Sequence, residues 1–269
     1  MPSPAPPVIT SPANPRVSAA AALRHRRARE RAGLTLIDGA RELRRALDGG
    51  VEVVEAFVCE PQLAGPDGRA AFDALRALGV AIRPVTEAVL AKVAFGERAE
   101  GLVAVVRIPA TDLARLALPE GALVVVIEGV EKPGNLGAVL RSADGAGADA
   151  VIAASPRTDI YNPNTIRASA GTAFALQLAA APTADVLAWL HTEGFRIVAA
   201  RVDGATSYLD IDLTGRVAIA LGTEADGLSD AWAGDDIVAA RLPMLGVADS
   251  LNVSVTAAVL LYEARRQRG

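Results

Sequence analysis

Cysteine, histidine and aromatic side chains are scarce in this 269-residue chain, and each shortage removes a class of protein. A single Cys59 excludes a disulfide framework, and two histidines, His25 and His191, leave no zinc cluster to assemble. The lone thiol reads as a small buried apolar group rather than a nucleophile. Aromatics make up only 4% of a composition that is 51% hydrophobic, so alanine, valine and leucine must build the core. Trp189 and Trp232 are assigned to packing rather than to base stacking. Apolar runs such as 122–127 are strand-sized and too short to cross a bilayer. The opening MPSPAPPVITSP is proline-rich and lacks the apolar centre of a secretory leader. Together these shortages predict a cytoplasmic protein with no metal and no membrane partner.

The net charge of −4 is spread unevenly: the first 107 residues carry +3 and the remainder −7. Six arginines (Arg16, Arg24, Arg26, Arg27, Arg29 and Arg31) crowd a short stretch in which Glu30 is the one acid. Arg41, Arg44 and Arg45 follow closely. Such a run is either a solvated helix face or a phosphate-binding surface, and the near absence of diluting acid favours the second.

Periodicity places a disordered lead at 1–13 and a basic helix over 14–31. A compact αβα domain extends over 14–108, with strands near 34–37, 51–59, 80–84 and 101–108. A linker at 109–120 leads to a second domain, 121–269, in which continuous Val/Ile/Ala strands (123–128, 150–154, 196–200, 217–221) alternate with helices. That rhythm signals a parallel sheet covered on both faces, and ligands of such sheets bind beyond the carboxyl ends of the strands.

Three loops with unusual chemistry leave those ends. In 128–141, EGVEKPGNLGAVLR, Pro133 and Gly134 make a turn, Asn135 falls at a helix start, and Arg141 lies six residues on, under two helical turns. Asn135 could be an ordinary cap, and the spacing fits neither GxGxxG nor a P-loop. In 221–229, LGTEADGLS, Gly222 would let a ligand approach the backbone, and Glu224 is an odd choice for a mere turn. In 242–252, LPMLGVADSLN, Ser250 and Asn252 stand at the mouth of a terminal helix whose last turn is rich in arginine.

In order and spacing the three loops resemble the three motifs of the SpoU (TrmH-type) RNA 2′-O-ribose methyltransferases of the SPOUT superfamily, over about 121–266. The match rests on PGNLGAVLRSADGAGA, LGTEADGLS and LPMLGVADSLNVSV. The earlier part, with NPRV, the arginine run and LIDGARELRRAL, is similar to the L30e-like substrate-binding domain of the ribosomal-RNA branch, which includes thiostrepton- and avilamycin-resistance enzymes. Glu131-Lys132, Ala225 and Thr256 depart from the usual pattern, away from the core polar positions.

The resemblance implies an α/β fold with a parallel-sheet SPOUT domain, a C-terminal trefoil knot, and homodimerisation through the knot domain. It implies S-adenosylmethionine (SAM) as cofactor, held around Ala199, Ala200, Gly222, Thr223, Leu242, Pro243, Met244, Ser250, Leu251 and Asn252. Catalytic positions would be Asn135, Arg141, Glu224, Ser250 and Asn252, and the product a methylated ribose 2′-oxygen in RNA, 23S ribosomal RNA before others. RNA contacts would come from Arg16, Arg24, Arg26, Arg27 and Arg167. A guanidinium stays protonated at working pH, so Arg141 is expected to stabilise developing alkoxide charge rather than to act as a base. A transfer-RNA 2′-O-methyltransferase and a non-catalytic RNA-binding protein of the same fold remain the alternatives. A Rossmann oxidoreductase lacks its glycine fingerprint.

Overall fold

A computed structural model describes residues 6–63, 65–95, 100–223 and 226–269. The chain divides into two compact units, one of Met1–Pro109 with Tyr161–Ala175 and one of Ala110–Ile160 with Leu176–Gly269.

The first unit runs α1 (Pro15–Ala22), α2 (Arg26–Ala32), β1 (Leu34–Asp38), α3 (Ala40–Asp48), β2 (Val53–Val58), α4 (Gly65–Ala77), β3 (Ala81–Pro84), α5 (Glu87–Val93) and β4 (Leu102–Arg107). Its sheet has the order β1-β4-β2-β3. β4 is antiparallel to both neighbours, and β2 and β3 are parallel. Leu36, Phe57, Val103 and Val105 face α1 and α5 across one core, together with the buried Cys59.

Two expectations are corrected here. The basic helix over 14–31 is two helices, because the chain turns at Leu23–His25. Buried Arg29 fixes the break, its Nη1 donating to the carbonyls of Leu23 and Arg24 at 2.8 Å each and satisfying groups that the end of α1 leaves open. The lead expected to be disordered over 1–13 is pinned at Ile9, whose N–H donates to Pro84 O at 2.8 Å and whose carbonyl accepts from Thr86 N at 3.2 Å. Ile9 adds apolar contact to the same core.

The segment 161–175 carries α7 (Pro163–Ala168) and clusters with this first unit, not with the 121–269 domain to which its sequence position assigned it. Tyr161 stacks on Phe174 with ring centroids 5.5 Å apart, and both are buried with Ile166. Thr35 Oγ1 donates to Tyr161 O at 2.7 Å, and Arg45 donates to Ala170 O. Gly171 lies so close to α3 that an added Cβ would stand 2.8 Å from Glu42 Cα.

The second unit runs β5 (Leu123–Glu128), α6 (Pro133–Ala146), β6 (Ala150–Ala154), β7 (Gln177–Ala181), α8 (Thr183–Thr192), β8 (Arg196–Ala200), β9 (Thr206–Ser207), β10 (Val217–Leu221), β11 (Ile237–Arg241) and α9 (Val253–Arg268). All pairings in its seven-stranded sheet, β7-β6-β5-β10-β8-β11-β9, are parallel. Every residue of β5 and β10 is buried, as expected of strands covered on both faces. Val124, Val126 and Ala218 face Val186 and Leu190 of α8 and the fully buried Trp232. On the other face, α6 packs along α9. The stretch expected as a linker lays Leu113, Leu116 and Leu118 on this core, and Ala117 exchanges two 2.8 Å hydrogen bonds with the Gln177 side chain.

The last turn of α9 is tied to the 211–215 loop. Arg268 donates to the carbonyls of Leu213, Gly121 and Gly215, and Gln267 donates to Ile211 O. Buried Glu263 accepts from Arg266 and Gln267, which hold its carboxyl at about 2, below the ordinary 4.5. A carboxyl with a depressed folded pKa adds stability above its unfolded value and loses it as the pH falls through the folded one. Urea unfolding from about pH 6 to about pH 2.5 is therefore expected to show Glu263→Gln less stable than the parent near neutrality, with the gap closing in acid. A gap independent of pH would contradict this coupling.

Candidate active site

A cavity of about 510 Å³ opens at the carboxyl ends of β8, β10 and β11, walled by the loops that follow β10 and β11. It lies within the range of small-molecule pockets. Ala200, Gly222, Thr223, Leu242, Met244, Ser250 and Leu251 all line it. Ala199 does not. In register with Ala220 and Ala239, it turns its methyl into the sheet core, while Ala200, the next residue along the pleat, turns the other way. Pro243 is exposed and away from the lining, and Asn252 caps α9 beside it.

Sequence reasoning missed Arg201 and Asp203, which form part of the wall. Arg201 grips Asp203 with two hydrogen bonds of 2.9 Å, Nε to Oδ1 and Nη2 to Oδ2. That grip holds the Asp203 carboxyl below its ordinary pKa. Asp226 and Asp249 add two more carboxylates to the lining. The signal available was position alone: residues 201–203 leave a central strand at its carboxyl end, where ligands of parallel sheets collect.

A smaller recess of about 80 Å³ adjoins the cavity and shares Gly222, Thr223, Asp226 and Val253 with it. Its own walls are Glu128, Glu131, Lys132 and Asn135. Two helices begin here. Pro133 opens α6, where its missing N–H costs nothing, and Asn252 caps α9 by accepting from Ser254 N at 2.9 Å. Asn252 Nδ2 donates to Asn135 Oδ1 at 3.5 Å, so the first and third loops meet side chain to side chain. Ten residues on, Tyr262 Oη lies 3.1 Å from where a Cβ on Gly145 would stand, so α6 and α9 run parallel. Both helices therefore aim their positive ends at the recess.

The other expected catalytic positions divide. Ser250 lines the cavity. Arg141 does not line either space: it stands about 9 Å further along α6 than Asn135, exposed, and with no hydrogen bond or ion pair among the described residues. Glu224 lies outside the described residues.

The arginines expected to meet RNA are in part engaged by the protein. Arg24 donates to the carbonyls of Lys92 and Ala94 at the end of α5. Arg16 reaches Glu55 at 3.4 Å, and Arg26 pairs with Glu30 at 2.7 Å. Arg27 is exposed. Arg167 lies 4.0 Å from the buried carboxyl of Asp38. Exposed Arg31, Arg41 and Arg44 extend the cationic surface.

Gly222 has no room for a side chain: a Cβ would fall 2.0 Å from Gly227 C, across a loop closed by paired bonds of 3.1 Å between Thr223 and Gly227. Gly222→Ala must push that wall aside, at a cost of about 1–3 kcal/mol. Cofactor affinity measured by calorimetry is expected to fall about tenfold or more; unchanged affinity would place the ligand elsewhere.

Residues 122–262 match the model of the SpoU rRNA Methylase family, and residues 14–104 match an MRM3-like substrate binding domain. The chain is 33% identical to the 23S rRNA (uridine(2479)-2′-O)-methyltransferase of Streptomyces viridochromogenes, over 92% of this chain and 88% of that one. Among solved structures, an RNA 2′-O ribose methyltransferase is similar with a TM-score of 0.85 at 44% identity, covering 97% of this chain and 99% of that one. An AdoMet-bound rRNA methyltransferase from Sinorhizobium meliloti has a TM-score of 0.87 at 30% identity, covering 97% of each chain.

Proposed function

Because the chain belongs to the SpoU rRNA methylase family, we propose that it transfers a methyl group from SAM to the 2′-hydroxyl of a ribose in 23S ribosomal RNA. The observation that carries this reading is the joining of two spaces, a larger one of small-molecule size and a smaller one at the mouths of two parallel helices.

The larger space suits SAM. Asp226 and Asp249, together with the Arg201–Asp203 pair, line a cavity whose apolar wall is Leu221, Leu228, Leu242, Met244 and Leu251. Acidic groups favour a ligand bearing sulfonium and ammonium charges, and the leucines favour a purine. Main-chain groups around Gly222, Thr223, Leu242, Met244 and Leu251 would hold the adenosyl part. Bound there, SAM supplies a methyl group on a positively charged sulfur. The protein's own part is to hold the ribose and stabilise charge on its oxygen. Asn135, Asn252 and Ser250 orient the sugar, and the ends of α6 and α9 favour negative charge as the hydroxyl loses its proton. Arg141 adds a fixed cation to an RNA strand that approaches along α6, and Glu224 takes up the proton through water.

The first unit selects the RNA element with Arg16, Arg24, Arg26, Arg27 and Arg167, supported by the exposed arginines beside them. The second unit forms a homodimer: Val255 and Tyr262 are exposed on α9, two turns apart, and Leu245 and Val247 are fully exposed in the preceding loop. The segment from β11 into α9 forms the trefoil knot. Among the described residues no helix is long and apolar enough to cross a membrane, which fits a cytoplasmic enzyme.

Incubation with SAM and unmodified ribosomal RNA, followed by alkaline hydrolysis, tests the reaction. A methylated 2′-oxygen cannot attack its own phosphate, so a gap in the ladder of 23S RNA is expected. A complete ladder, with SAM bound to the protein, would leave an RNA-binding protein that keeps the fold without the reaction.

A further inference from the structure

Glu128 closes β5 at the centre of the sheet, and its carboxylate is buried and committed on both oxygens. Oε2 accepts from Ser229 N at 2.7 Å. Oε1 accepts from Ser229 Oγ at 2.8 Å and from Thr183 Oγ1 at 2.9 Å. These bonds hold the carboxyl ionised, below its ordinary pKa, in spite of the opposing effect of burial. Thr183, at the start of α8, is itself held by Ser155, whose Oγ accepts from Thr183 N at 2.9 Å.

Ser229 matters for what precedes it. The loop that leaves β10 at Leu221 supplies Gly222, Thr223 and Asp226 to both the large cavity and the recess. It is closed on itself by the Thr223–Gly227 bonds, and Asp226 N donates to Thr223 Oγ1 at 3.0 Å. One end of this loop is fixed by the β10 ladder. The other is fixed at Ser229 by two bonds to one side chain, that of Glu128. A carboxylate with little exposure that gives two of its three accepted bonds to a single loop residue sets the position of that residue, since charge-assisted bonds are strong in low-dielectric surroundings.

We infer that Glu128 is a positioning residue for cofactor binding: by clamping Ser229 it holds Gly222, Thr223 and Asp226, the loop residues that line both spaces, in their binding geometry. This rests on the reading of the larger cavity as the SAM site. Glu128 also borders the recess, but the three bonds its carboxylate accepts tie it to Ser229 and Thr183, so its part is that of a support.

The test is calorimetric titration of the full-length protein with SAM, with thermal unfolding followed in parallel. Glu128→Gln keeps the shape and removes the charge, and is expected to weaken SAM binding about tenfold. Ser229→Ala, which keeps the N–H bond and loses the hydroxyl, is expected to weaken it less, and the double variant no more than Glu128→Gln alone. Thr183→Val removes a bond to the same carboxylate without touching the loop. It is expected to lower the unfolding temperature yet keep SAM affinity within about twofold. Equal SAM affinity in the parent and Glu128→Gln, or equal weakening by Thr183→Val, overturns the inference. If Glu128→Gln fails to fold, undiminished affinity in Ser229→Ala overturns it. A parent protein that binds no SAM overturns the cavity assignment as well, so the two failures are distinguishable.

Discussion

Arg141→Ala is expected to lower methyl transfer by about 10²-fold or more, while SAM affinity stays within about twofold of the parent. The split follows from where the side chain stands. It is exposed on α6, borders neither cavity, and makes no hydrogen bond or ion pair among the described residues. Removing it therefore leaves no buried group unsatisfied and moves no wall of the larger cavity. What is lost is a cation with a planar fork of donors, suited to a phosphate and a neighbouring oxygen. Lysine keeps the charge but loses the fork, so Arg141→Lys should recover only a small part of the rate. Single-turnover transfer of labelled methyl to ribosomal RNA, beside calorimetric titration with SAM, measures both quantities. A large loss of SAM affinity in Arg141→Ala would make the residue part of the scaffold instead.

A fragment beginning at Ala110 is expected to be far less stable than the whole chain. Segment 161–175 buries Tyr161, Ile166 and Phe174 in the first unit and borrows hydrogen bonds from Thr35 and Arg45. Without residues 1–109 those three side chains meet water, at about 1.5–3 kcal/mol each. The fragment should bind a hydrophobic dye, self-associate, and unfold at a temperature lower by about 10 °C or more. Replacing Ile166 and Phe174 by polar residues should reduce the association of the fragment while destabilising the whole chain. A monodisperse fragment as stable as the parent would show that the segment finds burial without the first unit.

Much of the second unit is legible in the sequence. The strands of all-buried β5 and β10 announce themselves as unbroken apolar runs, and the Pro133–Asn135 and Ser250–Asn252 helix starts are local capping signals. Their meeting at 3.5 Å was implied only by the resemblance, since no local rule brings residues 135 and 252 together. What stayed hidden has two causes. β11 and the two-residue β9 are short and partly buried, with no clear alternation to mark them. The membership of 161–175 in the first unit, the packing of Leu113, Leu116 and Leu118, and the burial of Arg29 all depend on partners distant in sequence. An arginine in a basic run reads as solvated until the carbonyls that claim it are seen.

The shortage of aromatic residues gives the site an optical handle. Only two tryptophans are present, and one of them, Trp232, is fully buried three residues beyond the serine that Glu128 clamps. The other, Trp189, lies on α8 tilted against Phe195. With Trp189 changed to phenylalanine, the emission of the chain would come from a single indole beside the loop that walls both spaces, so that ligand entry and loop displacement become visible in the protein's own fluorescence without an attached dye.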